Sequence, residues 1–285
     1  VPDRGVRDFT ALRPPCGGAL ALDGKSAPHN RPGGPDSTRM PVAAVEHGAG
    51  VILGQVPSDG GEILGVGRLP GEISVAGRTI TLDALNTCRE TAALIVDGGG
   101  DCVMPVKEGN RKTVFEDVSI LDRDDAPSRR TLEKGHRQIE ERVCSVVPLD
   151  DMPDEMAALP GSRQAFRIVR NRTCPRTGKP LGESQTAYGL TSLAPLRAGP
   201  SEILALNRGH REIENRLHYV RDVSCGEDRS TVRVGAMPRN LACLSNAAIS
   251  IVRMCGEFRC LPPARRHQSA GKDRALREIL NNPAI

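Results

Sequence analysis

The chain has 285 residues, enough for one large core or two smaller ones, and its 38% hydrophobic and 26% charged residues exclude a wholly disordered polymer. A net charge of +4 is mild, yet only six of the 39 basic residues are lysine, so the basicity is almost all arginine, the side chain that forks onto phosphate and carboxylate. No apolar run approaches the ~18 residues of a membrane span, the start lacks a signal-peptide profile, and nine cysteines without a C-x-x-C pair exclude a zinc ribbon or disulfide framework and predict a reducing cytoplasm.

Residues 1 to 15 have no hydrophobic period and read as a linker or a cut end. GGALALDGKS is a short strand that stops at Asp23, and the Pro/Gly-rich stretch after it is a loop. PVAAVEHGAGVILGQV reads as a hairpin turning at His47-Gly48-Ala49-Gly50. Residues 60 to 72, with Gly61, Gly65, Gly67 and Pro70, predict at most a weak helix. RTITLDAL is a second strand ending in an acid, Asp83, and Thr87 to Glu90 has the spacing of a capping box opening a helix. DCVMPVK is a further strand.

Residues 111 to 142 are polar and read as a surface excursion with one helix, followed by strands in VCSVVPL, AFRIVRNRT and TAYGLTSL. A helix is expected from Ser201 as N-cap, then an apolar helix over NLACLSNAAISIVRM, then a basic tail from Arg259 to Arg277 with a helix in KDRALREIL. Cys255 and Cys260 are read as packing at helix ends. With aromatics at 2% and no Trp, a thin core is expected.

The stretch GHREIENRLHYVRDVSCGED carries the densest pattern. Ile213, Leu217 and Val220 form an apolar stripe at helical spacing, and His210, Glu214, His218 and Arg221 fall together on an adjoining face. That face reads as a solvated charged surface, as a helical zinc site of His210, Glu214 and His218, or as the carrier of one acid of a larger site. Asp23 and Asp83, each at a strand end, would supply further hard oxygen ligands for Mg²⁺ if their strands lay side by side. An Asp before a turn is also ordinary turn chemistry.

The series ALDGKS, GVILGQV, TLDALNT and NRGHREIENRLHYVRDVSCGEDRS, in that order, resembles the DDE transposases of bacterial insertion sequences, in the H-repeat-associated (ISAs-type) branch. DCVMPVKEGNR, TAYGLTSL and VRVGAMPRNLACLSNAAISIVR resemble further segments of that family. The resemblance implies an α/β fold, a ribonuclease H-like mixed sheet flanked by helices, with a β-rich insertion before the helix of the catalytic Glu. Its parts would be a linker or truncated end at 1–15, the first part of the core at 16–110, the polar and β-rich insertion at 111–198, the catalytic-Glu helix and closing helix at 199–256 and a basic tail at 257–285.

Carried over by position, Asp23, Asp83 and Glu214 would be the catalytic, metal-binding acids. Lys25, Lys107, His210, Asn215 and Arg221 would contact DNA or orient an acid, although a cation beside a carboxylate is as often a plain ion pair. Asp222, Glu227 and Asp228 would support them. The cofactor implied is Mg²⁺, with Mn²⁺ as substitute, and the partner is double-stranded DNA at element ends and target, with a homodimer on that DNA and a bacterial, nucleoid-associated location. The chemistry would be metal-assisted strand cleavage and strand transfer.

The chain departs from the family at several points. Arg211 stands where the branch has Trp, Cys102 and Cys225 where it favours aromatics, Gly60-Gly61-Glu62 for a Lys-Asn-Glu turn, and Gln138 for an Arg. These departures give a second reading, a decayed and catalytically inactive copy that retains at most DNA binding.

Overall fold

A computed structural model describes residues 18–25, 41–57, 61–121, 125–135, 137–149, 159–232, 237–258 and 260–271. The chain divides into two units, Val1–Arg78 with Gly209–Ile285, and Thr79–Arg208.

In the first unit β1 (Ala19–Gly24), β2 (Pro41–Glu46) and β3 (Ile52–Pro57) form an antiparallel meander in the order β3-β2-β1. Asp23 pairs with Ala43 and Ala21 with Val45. The β2–β3 hairpin turns at His47–Gly50, as the sequence predicts, with Gly48 and Gly50 at positive φ where a side chain would be strained. Leu20, Ala21 and Leu22 are all buried, so both faces of β1 are covered. Helix α1 (Glu62–Glu72) packs against all three strands.

That helix is firmer than its glycines suggest. Gly65 and Val66 are buried, and Pro70 sits in the last turn, where the Ile73 N–H still reaches the Leu69 carbonyl at 3.1 Å. Ala21, Ala43, Val45 and Ile52 form one core with Ile213, Leu217, Ile249 and Val252, the last two on α5 (Met237–Cys255). Gln55, Cys243 and Asn246 are hydrogen-bonded inside this unit, and Ser250 Oγ accepts the Ile52 N–H at 3.1 Å. A further helix, α6 (Leu261–Ser269), is not expected from the sequence, because Pro262 and Pro263 look like breakers. Both fall in its first turn, where a missing N–H costs nothing. The expected helix in KDRALREIL lies outside the described residues.

In the second unit β4 (Thr79–Thr81) runs parallel to β5 (Asp101–Val106), joined by α2 (Arg89–Asp97). β5 then pairs antiparallel with β9 (Gln185–Thr191), and the order β4-β5-β9-β8-β7-β6 is completed by β8 (Gln164–Thr173), β7 (Gln138–Pro148) and β6 (Ser128–Gly135). This mixed sheet, with α3 (Lys112–Ile120) and α4 (Pro200–His210, its last two residues in the first unit), makes the unit α/β. The polar stretch after 120 is therefore partly strand: β6 and the first half of β7 carry charge on both faces, and cross-strand pairs hold them together. Arg170 forks onto Glu140 at 2.6 and 2.8 Å, and Arg142 joins Glu140 to Glu133.

Two predicted caps are placed differently. The Thr87 hydroxyl lies 3.0 Å from the Asp83 carbonyl and 2.8 Å from that of Pro105, so it ties the turn to β5, and Cys88 occupies the cap position of α2. α4 begins at Pro200, and the Glu202 carboxylate accepts the Gly199 N–H at 2.9 Å, which leaves Ser201 inside the helix. A buried core of Cys144, Phe166, Ile168, Ile203 and Leu204 joins the sheet to α4.

Candidate active site

After His210 the chain stays helical but changes its spacing, with π-helical segments at Glu214–His218 and Val220–Ser224. Each i→i+5 turn takes in an extra residue and rotates the later side chains away from their α-helical positions. Ile213 and Leu217 keep their predicted place in the core, with Val220 packed against it. The charged face does not stay whole. Glu214 is 71% exposed along its side chain, whereas Arg221 is 1% exposed and His218 is buried.

Asp23 lies on the β1 face that carries Ala21 toward Ile213 and Leu217, because alternate strand residues share a face. His218 Nδ1 is 2.9 Å from Glu214 Oε2 and 3.9 Å from Asp23 Oδ2, so the two acids approach one ring nitrogen. Asp23 Oδ1 accepts the Gly24 N–H at 2.9 Å. A side chain at Gly24 would collide with Glu62, whose Cγ lies 2.5 Å from where a Cβ would stand.

Lys25 follows at once, buried, with its ammonium 2.5 Å from Asp222 Oδ1. Arg221 forks onto Glu227 at 2.7 and 2.6 Å. For these two cations the structure shows the ion-pair alternative, and the buried Arg221 has no surface to offer a phosphate: that is a correction to its predicted DNA contact. Burial and hydrogen bonding to Asp222 raise the Asp228 carboxyl above its ordinary range. Burial, with Lys25 and Arg221 nearby, pushes His218 below the ordinary histidine value against the pull of Glu214.

The other end of the helix is fastened to the hairpin. A Cβ on Gly209 would run into the ring of His47, so only glycine allows this approach. The Gly48 N–H donates to Glu212 at 3.2 Å, and Arg253 bonds the carbonyls of Gly50 and Arg216. Burial and His210 push His47 down to about 4, with Glu212 opposing. His210 thus faces His47 and His218 faces Glu214, and among the described residues neither this helical trio nor any other group of three His, Cys, Asp or Glu side chains clusters as a metal site. Asn215 is exposed on the same helix.

In the second unit Asp83 and Lys107 follow the carboxyl ends of the parallel strands β4 and β5. Asp83 Oδ1 accepts the Asn86 N–H at 2.8 Å, the ordinary turn chemistry of an aspartate in this position. Asn110 Nδ2 donates to the Ala84 carbonyl at 3.3 Å, so the turn holding the exposed Lys107 is latched to the turn holding Asp83. Cys102 is fully buried in β5, and burial pushes its thiol up to about 11. It is inert packing.

The residue that sequence reasoning undervalues is His218. Its spacing of four from Glu214 is visible, but its burial and its position beside Asp23 depend on tertiary packing.

No family model matches the chain. It is 26% identical over 249 residues to the "H repeat-associated putative transposase YhhI" of Escherichia coli K12, covering 82% of this chain and 63% of that protein. It is 25% identical over 253 residues to "Putative transposase YncI" of Escherichia coli O157:H7, covering 84% and 62%. The chain therefore spans less than two thirds of the length of these relatives. A solved piggyBac transposase synaptic complex with hairpin DNA is 13% identical over 82% of this chain and 46% of its own, with a TM-score of 0.41. The chain is similar, over most of its length, to proteins that carry the transposase name. Among the described residues no helix is long and apolar enough to cross a membrane.

Proposed function

We propose that this chain carries the DNA-cleaving and strand-transferring core of a DDE transposase, with Asp23, Asp83 and Glu214 as its acids. The observation that carries this reading is the approach of Asp23 and Glu214, remote in sequence, to the same nitrogen of His218. The similarity to transposase-named proteins agrees with it. The ribonuclease H-like reading is supported by the strand inventory: a meander whose first strand ends near Asp23, a parallel β4–β5 pair with Asp83 just past β4, and an antiparallel β6–β9 segment before Glu214. The division into core, insertion at 111–198 and basic tail at 257–285 belongs to the same proposal.

The donor set suits a hard divalent ion. Carboxylate oxygens are the ligands Mg²⁺ and Mn²⁺ prefer, and such ions usually keep waters and bind substrate phosphates beside one or two protein acids. Asp23 and Glu214 would hold it within the first unit, and Asp83 is the further acid that the resemblance implies. A bound ion would lower the pKa of water, and later of a 3′-hydroxyl, and neutralise charge on the leaving oxygen. The chain's own part is positional. His218 and the Gly24 N–H fix the two carboxylates, while Lys25, spent on Asp222, holds the end of β1 against the helix. Exposed Lys107 and Asn215, and the partly exposed His210, are the candidate phosphate contacts, so binding would weaken with salt.

The test is nicking of supercoiled plasmid with Mn²⁺ by the full chain, Asp83→Ala and Glu214→Gln, with DNA binding measured in parallel. The expected outcome is nicking by the native chain and a loss of at least about a hundredfold in either variant with binding retained. Binding without nicking by the native chain would install the inactive-copy reading instead.

A further inference from the structure

Glu214 is far more exposed along its side chain than Asp23, 71% against 21%, and an exposed glutamate on a helix samples several rotamers. Something must choose among them if the carboxylate is to face Asp23. The ring of His218 is buried beside both acids, with Nδ1 2.9 Å from Glu214 Oε2, while its other nitrogen, Nε2, is buried with no hydrogen-bond partner among the described residues. An ionised carboxylate only accepts, so Nδ1 must carry a proton to bond it. A proton on Nε2 would be left buried and unsatisfied, which favours the neutral ring with its single N–H at Nδ1.

We infer that His218 is a positioning residue: its Nδ1–H pins one oxygen of Glu214 and turns the carboxylate toward Asp23, so that the first unit holds a pre-set pair of acids. The inference rests on the metal-binding reading above and deepens it. The π-helical spacing serves the same end, because it lets the ring sink into the core while the acid four residues earlier stays at the surface. A partner that orients a ligand in this way is worth about ten- to a hundredfold in ion affinity.

The experiment uses the full chain and Mn²⁺ alone, with binding followed by electron paramagnetic resonance. His218→Leu fills the buried position without a donor and is expected to weaken Mn²⁺ binding by at least about tenfold. His218→Asn places an amide N–H near the position of Nδ1 and is expected to recover part of that loss. Should the Leu variant fail to unfold cooperatively in urea, His218→Gln replaces it, since its amide reaches the position of Nε2 instead and is expected to behave as the Leu variant does. In the ion-free chain, ¹⁵N spectra of labelled histidine should show one ring protonated at Nδ1, a signature lost in Glu214→Ala.

Native affinity in the Leu variant would overturn the inference, as would an Asn variant no better than Leu or a ring protonated at Nε2. If native chain and Glu214→Gln bind Mn²⁺ equally, the metal reading itself fails and this inference falls with it. Loss in Glu214→Gln with no loss in His218→Leu would sink the role of His218 alone.

Discussion

Asp23 and Asp83 each stand at or just past the end of a strand, yet the two units hold them by different means. Around Asp23 the partners come from remote sequence and are charged or ring-bearing: His218 beside the carboxylate, Lys25 locked to Asp222, Arg221 locked to Glu227. Asp83 is held by its own turn, through the Asn86 N–H and the Thr87 hydroxyl, with a single amide from Asn110 reaching across. The first arrangement exists only when the unit is folded, whereas the second is written into a few consecutive residues. Perturbations should therefore be severe and global in the first case and modest and local in the second.

The sharpest way to break this contrast is Glu227→Ala. It strands the guanidinium of Arg221 at 1% exposure, and leaving a buried charge unpaired costs about 3–5 kcal/mol. Urea unfolding followed by circular dichroism should show that loss, and a change below about 1 kcal/mol would mean the pair is a surface ornament. Acid comes next. His47 is pushed down to about 4 from 6.5, so the unfolded chain takes up a proton first as the pH falls. Stability from this group is complete above pH 6.5 and is lost between there and about pH 4, a total of about 3 kcal/mol. His47→Asn should flatten the unfolding midpoint across that window, and His218 should add a smaller dependence of the same sign.

The smallest effect is expected in the second unit. Thr87→Val removes one hydroxyl shared by two carbonyls and should cost about 1 kcal/mol. Hydrogen exchange should localise the change to residues around 83–88, and a global collapse in this variant would erase the distinction between the two acids.

The same contrast explains what can be read in advance. Strands with short apolar runs between turn residues, β1, the β2–β3 hairpin, β5 and β7–β9, are legible because period and punctuation are local. So is the turn chemistry of Asp83. The burial of Arg221 and His218 is not, because α-helical spacing places them beside the exposed Glu214, and only the π-helical turns and the packing of Leu217 and Ile213 send them inward. α1 and α6 are obscured by glycine and proline whose cost depends on position within the turn, and β6 by a composition that satisfies a ladder through charge pairs. The approach of Glu214 to Asp23 can be expected only through family resemblance, since no local rule links two such distant residues.

One detail of the first unit bears on how copies of this chain can meet. β3 is the outer strand of its meander, the place where a foreign strand could add itself, and Ser250 on α5 already occupies the backbone donor of Ile52. With that donor taken, a strand arriving at this border finds one backbone rung fewer to bond.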